Sequence, residues 1–446
     1  MRVRTLRATD DLAGIALHSD LFALPNRRPS RRGALSGKAS IATRRQRPES
    51  HTQRPWVTQP YEWLDQPDQE GRAGLKANLY KLWNRMSSGS YFPPPVKMVE
   101  IEKPGGRGVR ILGVPTVADR IAQTVVAMVL EPLVEPVFHP DSYGYRPRRS
   151  ALDAVAACRE RCWKTDWVID LDIRGFFDNL DHDLVLKAVE HHTDQRWVRL
   201  YVERWLKAPL QRPDGSLQAR GRGSPQGSAV SPVLSNLFMH YAFDTWMARE
   251  YPGVRFERYC DDVVVHCRNE VQAHHVRQSI AGRLAECGGL ELHPDKTRIV
   301  YCKDRNRRGS AEHTSFTFLG YGFRVRRLQT KRGDYFFGFN PAVSDEAAKQ
   351  IRMQIRHWRL HLRSDTTLEQ LAREINPVVR GWINYFGRFH PSALLSTLNR
   401  INDYLVRWLV RKYKRFKRKR ARAREALNRH ARRFPGLFAH WKLVKP

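Results

Sequence analysis

The sequence predicts an α+β chain of two or three subdomains, and three observations carry that reading. Its 446 residues are too many for one small core. From about 166 to 325, short runs of strand-forming residues alternate with helix-patterned stretches. Beyond about 340 the strand pattern stops and helical periodicity dominates to the end. Apolar residues make up 41% of the chain, enough to fill cores of that size.

Taken in order, residues 1–55 read as a flexible, basic extension rich in Pro and Ser. The opening MRVRTLRATDDLAGIALHSDLF lacks the unbroken apolar stretch of a secretory signal. Structure is expected from near Pro60. RAGLKANLYKLWNRMS, 72–87, spaces Leu75, Leu79 and Leu82 along one helix face, and SSGSYFPPP ends it. VKMVEIEKPGGRGVRILGVP reads as a β-hairpin, two apolar-rich runs around a basic Gly-rich turn. A helix over about 116–135 follows, capped by Thr116. SYGYRPRRS is a loop, and ALDAVAACRERCWK is a further helix.

In the middle region WVIDLDI is a strand, DHDLVLKAVEHHT a helix and SPVLSNLFMHYAFDTWMARE a longer helix. RFERYCDDVVVHC is strand–turn–strand, and SFTFLGYGFRV is one strand or a tight pair. In the last third, Trp382, Tyr385, Phe386 and Phe389 fall at i, i+3, i+4 and i+7, a stripe that reads as helix core. A basic helix is expected over 407–433.

Charge narrows the function. There are 78 Lys plus Arg against 45 Asp plus Glu, a formal net charge of +33. Such a chain repels itself unless a polyanion neutralises it, and counterion release from nucleic acid supplies that free energy. No apolar run approaches the roughly 18 residues a membrane span needs, so nucleic acid is the partner and membrane is not. The single-signed run around Lys417 and Arg418 suits RNA phosphates better than a solvated face. The six cysteines form no paired CxxC units, which suggests reduced thiols in a cytoplasmic protein.

The chemistry lies in acids on two strands. Asp261 and Asp262 sit at the bend of RFERYCDDVVVHC, where two adjacent carboxylates repel and want a divalent cation between them. In WVIDLDI, Trp167, Ile169 and Leu171 alternate with Val168, Asp170 and Asp172, so both acids share one face and alternation alone does not choose between them. Acids from two strands that hold two Mg²⁺ ions are what nucleotidyl transfer requires.

Seven segments, in order from about 75 to 325, resemble the reverse transcriptases encoded by group II introns. YCDD resembles their Y-x-D-D box, and DIRGFFDNLDH their first acidic motif. GSPQGSAVSPVLSNLFM, RILGVPTVADRIAQ, SYGYRPRRSALDAV, LHPDKT and FTFLGYGF resemble the remaining ones. The resemblance implies a right-hand polymerase: fingers over 56–165, palm over 166–335 with a fingers-like insertion, and a helical thumb and maturase region over 336–446. Arg380, Gly381, Trp382, Tyr385 and Phe386 share that last region's R-G-W-x-x-Y-F pattern.

It further implies Asp172, Asp261 and Asp262 as the metal-binding catalytic acids, with Asp170 a neighbour. Lys103, Arg110, Phe177, Gln226 and Lys296 would meet the dNTP, Phe177 from beneath its sugar. Arg146, Arg148, Gly227 and the turn Leu319, Gly320 and Tyr321 would contact nucleic acid or hold its loops. Partners would be an intron RNA template, a DNA primer or target and dNTPs. Two alternatives stand beside this reading: an RNA-binding splicing cofactor with a vestigial polymerase, and a host-domesticated enzyme of phage defence or repair. The sequence ends at LFAHWKLVKP with none of the CxxC pairs of an HNH-type nuclease. Any mobility is therefore expected to use single-stranded DNA at replication forks or reverse splicing.

Overall fold

A computed structural model describes residues 74–102, 108–330 and 332–446. The extension expected over 1–55 and the turn residue Lys103 lie outside them.

Helix α1 (Leu75–Ser87) leads into the hairpin β1 (Val96–Glu102) and β2 (Val109–Val114), paired from Lys97↔Val114 to Glu102↔Val109. Helix α2 (Val117–Val134) begins where expected, because Thr116 Oγ1 accepts from Asp119 N at 3.2 Å and satisfies a free amide of the first turn. Helix α3 (Ala151–Cys162) starts with a capping box between Ser150 and Asp153. Strand β3 (Trp167–Leu171), the single turn α4 (Phe176–Asn179) and helices α5 (His182–His192) and α6 (Arg196–Lys207) follow. Sequence reading passed over α6, although Val198, Tyr201, Val202 and Trp205 mark its buried face. Two short strands, β4 (Leu210–Gln211) and β5 (Leu217–Gln218), return to the first hairpin and complete a sheet of order β2-β1-β4-β5.

The long helix expected over 231–250 is α7 (Ser231–Met239) and α8 (Thr245–Glu250), joined by a π turn at His240–Asp244. Thr245 N donates to His240 O five residues back, and the extra residue leaves Asp244 wholly buried. Strands β6 (Arg255–Tyr259) and β7 (Asp262–Cys267), helix α9 (Glu270–Glu286) and strand β8 (Arg298–Tyr301) complete the central antiparallel sheet, ordered β6-β7-β3-β8. Its faces obey the alternation read from sequence. Ile169, Leu171, Val263 and Val265 enter one core with the helices around them. Val168, Val264 and Val300 enter another with α3 and a small aromatic sheet.

That small sheet has the order β11-β10-β9, from β9 (Phe316–Phe318), β10 (Tyr321–Gln329) and β11 (Tyr335–Val343). The tight pair was legible in sequence, but the third strand was not. Its outer half leaves Tyr335, Phe336 and Phe337 exposed, so it lacks the in–out alternation that marks a strand.

Helices α10 (Asp345–His357), α11 (Leu368–Phe386), α12 (Ser392–Lys412) and α13 (Arg420–Arg433) form a separate core around Ile351, Leu371, Leu398, Leu405 and Trp408. The aromatic stripe is core, as expected. Trp382 stacks on Trp358 at 5.3 Å, and Tyr385, Phe386 and Phe389 surround Tyr321 at 5.4–5.6 Å. The basic helix expected over 407–433 is a correction, since it breaks after Lys412. Phe416 turns inward to 7% exposure on a 3₁₀ turn, Arg418 takes φ 60°, and α13 restarts at Arg420 with Ala423, Leu427 and Ala431 buried.

All six cysteines are free and buried. Cys158, Glu257 and His266 gather within 4.8 Å. There Glu257 is already matched by Arg161 Nη1 and His266 Nε2, each at 2.6 Å.

Candidate active site

The acidic hairpin closes with two residues between Tyr259 and Asp262, which pair across it. The first, Cys260, takes φ 61°, a left-handed conformation that a side chain resists. Two neighbours hold it there. Arg258 Nη1 donates to Cys260 O at 3.0 Å. From the other side the YGYR loop presses in so closely that a Cβ on Gly144 would stand 2.5 Å from Cys260 N.

Arg258 itself is fully buried. Its guanidinium meets Asp244 through Nε–Oδ1 at 2.7 Å and Nη2–Oδ2 at 2.6 Å, and also reaches Asn236 and Ser142. A buried bidentate pair with every donor used fixes geometry rather than adding much net stability.

Asp172 follows the last β3–β7 pair, Leu171↔Val263, so the register carries it opposite Asp262. Its backbone is pinned from the LHPDKT loop, where His293 N donates to Asp172 O at 2.7 Å. Asp172, Asp261 and Asp262 all line one cavity of about 670 Å³. Asp170, the other acid on that face of β3, does not line it.

The carboxylates in the cavity crowd one another. Burial raises the Asp262 carboxyl to about 7, with Asp261 and Asp172 adding repulsion. Asp261 is raised mainly by burial, with Asp172 contributing. Asp170 is pushed up to about 8 by burial, then by Asp262 and Asp172. Like charges crowded this way want a cation. The Lys296 ammonium supplies one, with Nζ 3.0 Å from Asp172 Oδ2 and 3.2 Å from Oδ1. A set of hard carboxylate oxygens beside an ammonium stand-in fits divalent metal ions.

Around the acids the cavity gathers several of the residues expected to meet a nucleotide. Arg110 reaches it from β2, and its charge opposes the upward shifts of Asp261 and Asp262. Of the neighbouring aromatics, Phe176 and Phe177 both line the cavity, Phe176 buried at 2% exposure and Phe177 partly buried against the same core. Gln226 and Gly227 line it too, on a loop sewn to β2 by Gly113 N donating to Gln226 O at 3.0 Å. Gly227 has φ 117°, and a Cβ there would stand 3.0 Å from Gly113 O, so the approaching fingers strand is what demands glycine.

Other expected residues lie elsewhere. Of the two roles expected for Arg146, the structure shows the one that holds the loop: it is buried, salt-bridged to Glu135 at 2.8 Å, and donates to the carbonyls of His139 and Ser142 at 2.7 Å each. It holds its loop and offers nothing to a strand outside. Arg148 is exposed on that loop with φ 60°. Leu319 and Gly320, with φ 50° and 77°, form the turn between β9 and β10. Tyr321, which follows that turn, is fully buried and donates its hydroxyl to Tyr385 O, so it ties β10 to α11. Lys417 and Arg418 are exposed at the break between α12 and α13.

Sequence reasoning missed two contributors. Tyr145 lines the main cavity, 50% exposed, with burial of the hydroxyl pushing it to about 12. An aromatic inside YGYRP was its only signal. Arg220 lines an adjoining cavity of about 370 Å³ together with Asp178 and Gln226. The run ARGRGSPQG was the signal there.

Residues 101–323 match the family described as reverse transcriptase (RNA-dependent DNA polymerase). The chain belongs to the reverse transcriptases. Residues 348–426 match the maturase-specific domain of group II introns, so this is an RNA-directed DNA polymerase of the group II intron type, with a right-hand polymerase fold and a helical maturase region. Protein YkfC of Escherichia coli is 31% identical over 303 residues, which are 59% of this chain and 74% of that protein. The group II intron-encoded protein LtrA of Lactococcus lactis is 31% identical over 162 residues, 36% of this chain and 27% of LtrA. The COX1/OXI3 intron 1 protein of Saccharomyces cerevisiae is 31% identical over 169 residues, 38% and 20%. The matched segment thus spans most of the first relative and about a quarter or less of the other two. Among the described residues, no helix is long and apolar enough to cross a membrane.

Proposed function

We propose that this protein copies an intron RNA into DNA from a DNA primer in the cytoplasm, at a Mg²⁺ site formed by Asp172, Asp261 and Asp262, and that its maturase region holds the same RNA for splicing. The observation that carries the reading is the meeting of three carboxylates from two distant segments in one cavity with Arg110, Phe177, Gln226 and Lys296. Bound there, two Mg²⁺ ions supply acidity at the primer 3′-hydroxyl and shield the departing pyrophosphate.

The chain's own groups do the rest. Arg110 and Lys103 draw in the triphosphate. Phe177 lies under the incoming sugar and leaves no room for a 2′-hydroxyl. Gln226 offers both a donor and an acceptor to the new base pair, and Gly227 lets the backbone come close. Lys296 leaves Asp172 when metal arrives and steadies or protonates the pyrophosphate. Gly320 and Leu319 guide the primer, Arg148 meets the template, and Lys417 and Arg418 meet RNA phosphates. Fingers over 56–165, palm over 166–335 and thumb over 336–446 accommodate these roles, and β4 and β5 are the insertion that joins the fingers sheet.

The three intact acids favour an active enzyme over a vestigial one. Primer extension on an RNA template with Mg²⁺ tests this. Asp262→Ala is expected to reduce DNA synthesis at least about a thousand-fold and to leave RNA affinity within about two-fold. Equal loss of both would mean that the acids hold the fold instead.

A further inference from the structure

Strands β10 and β11 run on beyond their sheet. β9 pairs only with Tyr321–Phe323 of β10, whereas β10 and β11 pair from Tyr321↔Val343 out to Gln329↔Tyr335. The outer half is therefore a two-stranded arm. Residues directly opposite share a face, so Arg327 and Gln329 lie on the same side as Phe337 and Tyr335. Phe337 and Tyr335 are 56% and 57% exposed, and the Arg327 guanidinium sits 3.8 Å over the Tyr335 ring. Large rings left this open are unfavourable unless something covers them.

A basic loop lies against the arm. Arg305 N donates to Phe337 O at 3.1 Å. Arg307 secures that loop, pairing with Asp304 at 2.6 Å and donating to the carbonyls of Cys162 and Thr165 at 2.8 and 2.7 Å. Arg305 and Arg308 stay exposed, and no carboxylate lies within 4.0 Å of either, or of Arg327, among the described residues. None of these groups lines the acidic cavity.

We propose that this arm is a second RNA-binding site, a clamp that stacks unpaired bases of the intron RNA on Phe337 and Tyr335 while Arg305, Arg308 and Arg327 neutralise their phosphates. The inference rests on the proposed binding of intron RNA and adds where part of that grip is made. Aromatic rings beside guanidiniums that no carboxylate neutralises suit a flexible polyanion with free π-faces. A duplex keeps its bases stacked on one another and offers these rings nothing, which separates unpaired RNA from the template–primer hybrid in the cleft.

The test compares full-length wild type with Tyr335→Ala/Phe337→Ala and with Arg305→Ala/Arg308→Ala. The probes are a single-stranded RNA of about 20 nucleotides, a site of a few binding lengths, and a blunt RNA–DNA hybrid of equal length. The aromatic double variant is expected to weaken single-strand binding about ten-fold or more, leave hybrid binding unchanged, and extend a short primer–template at the wild-type rate. The arginine double variant should flatten the log–log salt dependence of single-strand binding by about 1.4, roughly 0.7 per phosphate contact. Tyr335→Phe/Phe337→Tyr should bind as wild type, because stacking survives. Unchanged single-strand affinity in the aromatic double variant overturns the proposal. An equal fall for the hybrid, or a matching loss of primer extension, overturns it too, since the arm would then serve the cleft.

Discussion

Two hairpins are built alike and held differently. The β6–β7 hairpin presents Asp261 and Asp262, and the β9–β10 hairpin presents Leu319 and Gly320. Each turns in two residues and uses left-handed backbone to do so. The first is fixed by a buried charged network centred on Arg258 and Asp244. The second is fixed by rings, with Tyr321 surrounded by Tyr385, Phe386 and Phe389, and with Tyr385 Oη donating to Leu319 O at 2.9 Å. Hydrogen-bonded charge is directional and holds carboxylates where metal chemistry needs them. Aromatic packing tolerates small slides, which suits a joint between palm and thumb.

The strongest way to break this comparison is Arg258→Met. It strands Asp244 without a partner in the core and should cost about 3–5 kcal/mol in denaturant unfolding. A loss under about 1 kcal/mol would mean that the network does not hold the acidic hairpin. At the second hairpin, Phe386→Ala removes a half-buried ring and should cost about 1–3 kcal/mol. Its signature is functional: shorter extension products at an unchanged rate of single-nucleotide addition. If single addition slows in proportion, the two hairpins are not separable.

A subtler contrast lies in pH. In metal-free protein the Asp262 and Asp170 carboxyls keep their protons to about 7 and about 8, whereas unfolded chain releases them near the ordinary carboxylate value. The native state therefore binds more protons over that window, and stability conferred at low pH is lost as pH rises from about 4 to about 8. Asp170→Asn should flatten this decline in Tm measured in chelator, and Mg²⁺ should stabilise wild type most at the upper end. The same slope in wild type and variant would show that Asp170 carries none of it.

The acidic half of this picture was largely legible in the sequence. Alternation put Asp170 and Asp172 on one face, the order of the motifs singled out Asp172 with Asp261 and Asp262, and the cavity collects these three with Arg110 and Lys296. What was hidden depends on contacts between segments remote in the chain. Sequence left Arg146 between template and loop, and placed Tyr321 in a primer-gripping turn, because nothing local shows that Glu135 and Tyr385 bond to them. The Arg258–Asp244 pair depends on a π turn that no periodicity announces. The basic run past 407 reads as one helix because charge says nothing about Phe416 being drawn inward.

On the function proposed above, three carboxylates share divalent metal to make DNA on RNA. The most direct measurement is a Mg²⁺ titration of primer extension on an RNA template with wild type and Asp172→Asn, alongside RNA binding. The account predicts synthesis that rises more steeply than first order in Mg²⁺ for wild type, and none for Asp172→Asn at any concentration, with RNA bound equally by both. Undiminished synthesis by Asp172→Asn, or Mg²⁺-independent synthesis by wild type, would contradict it.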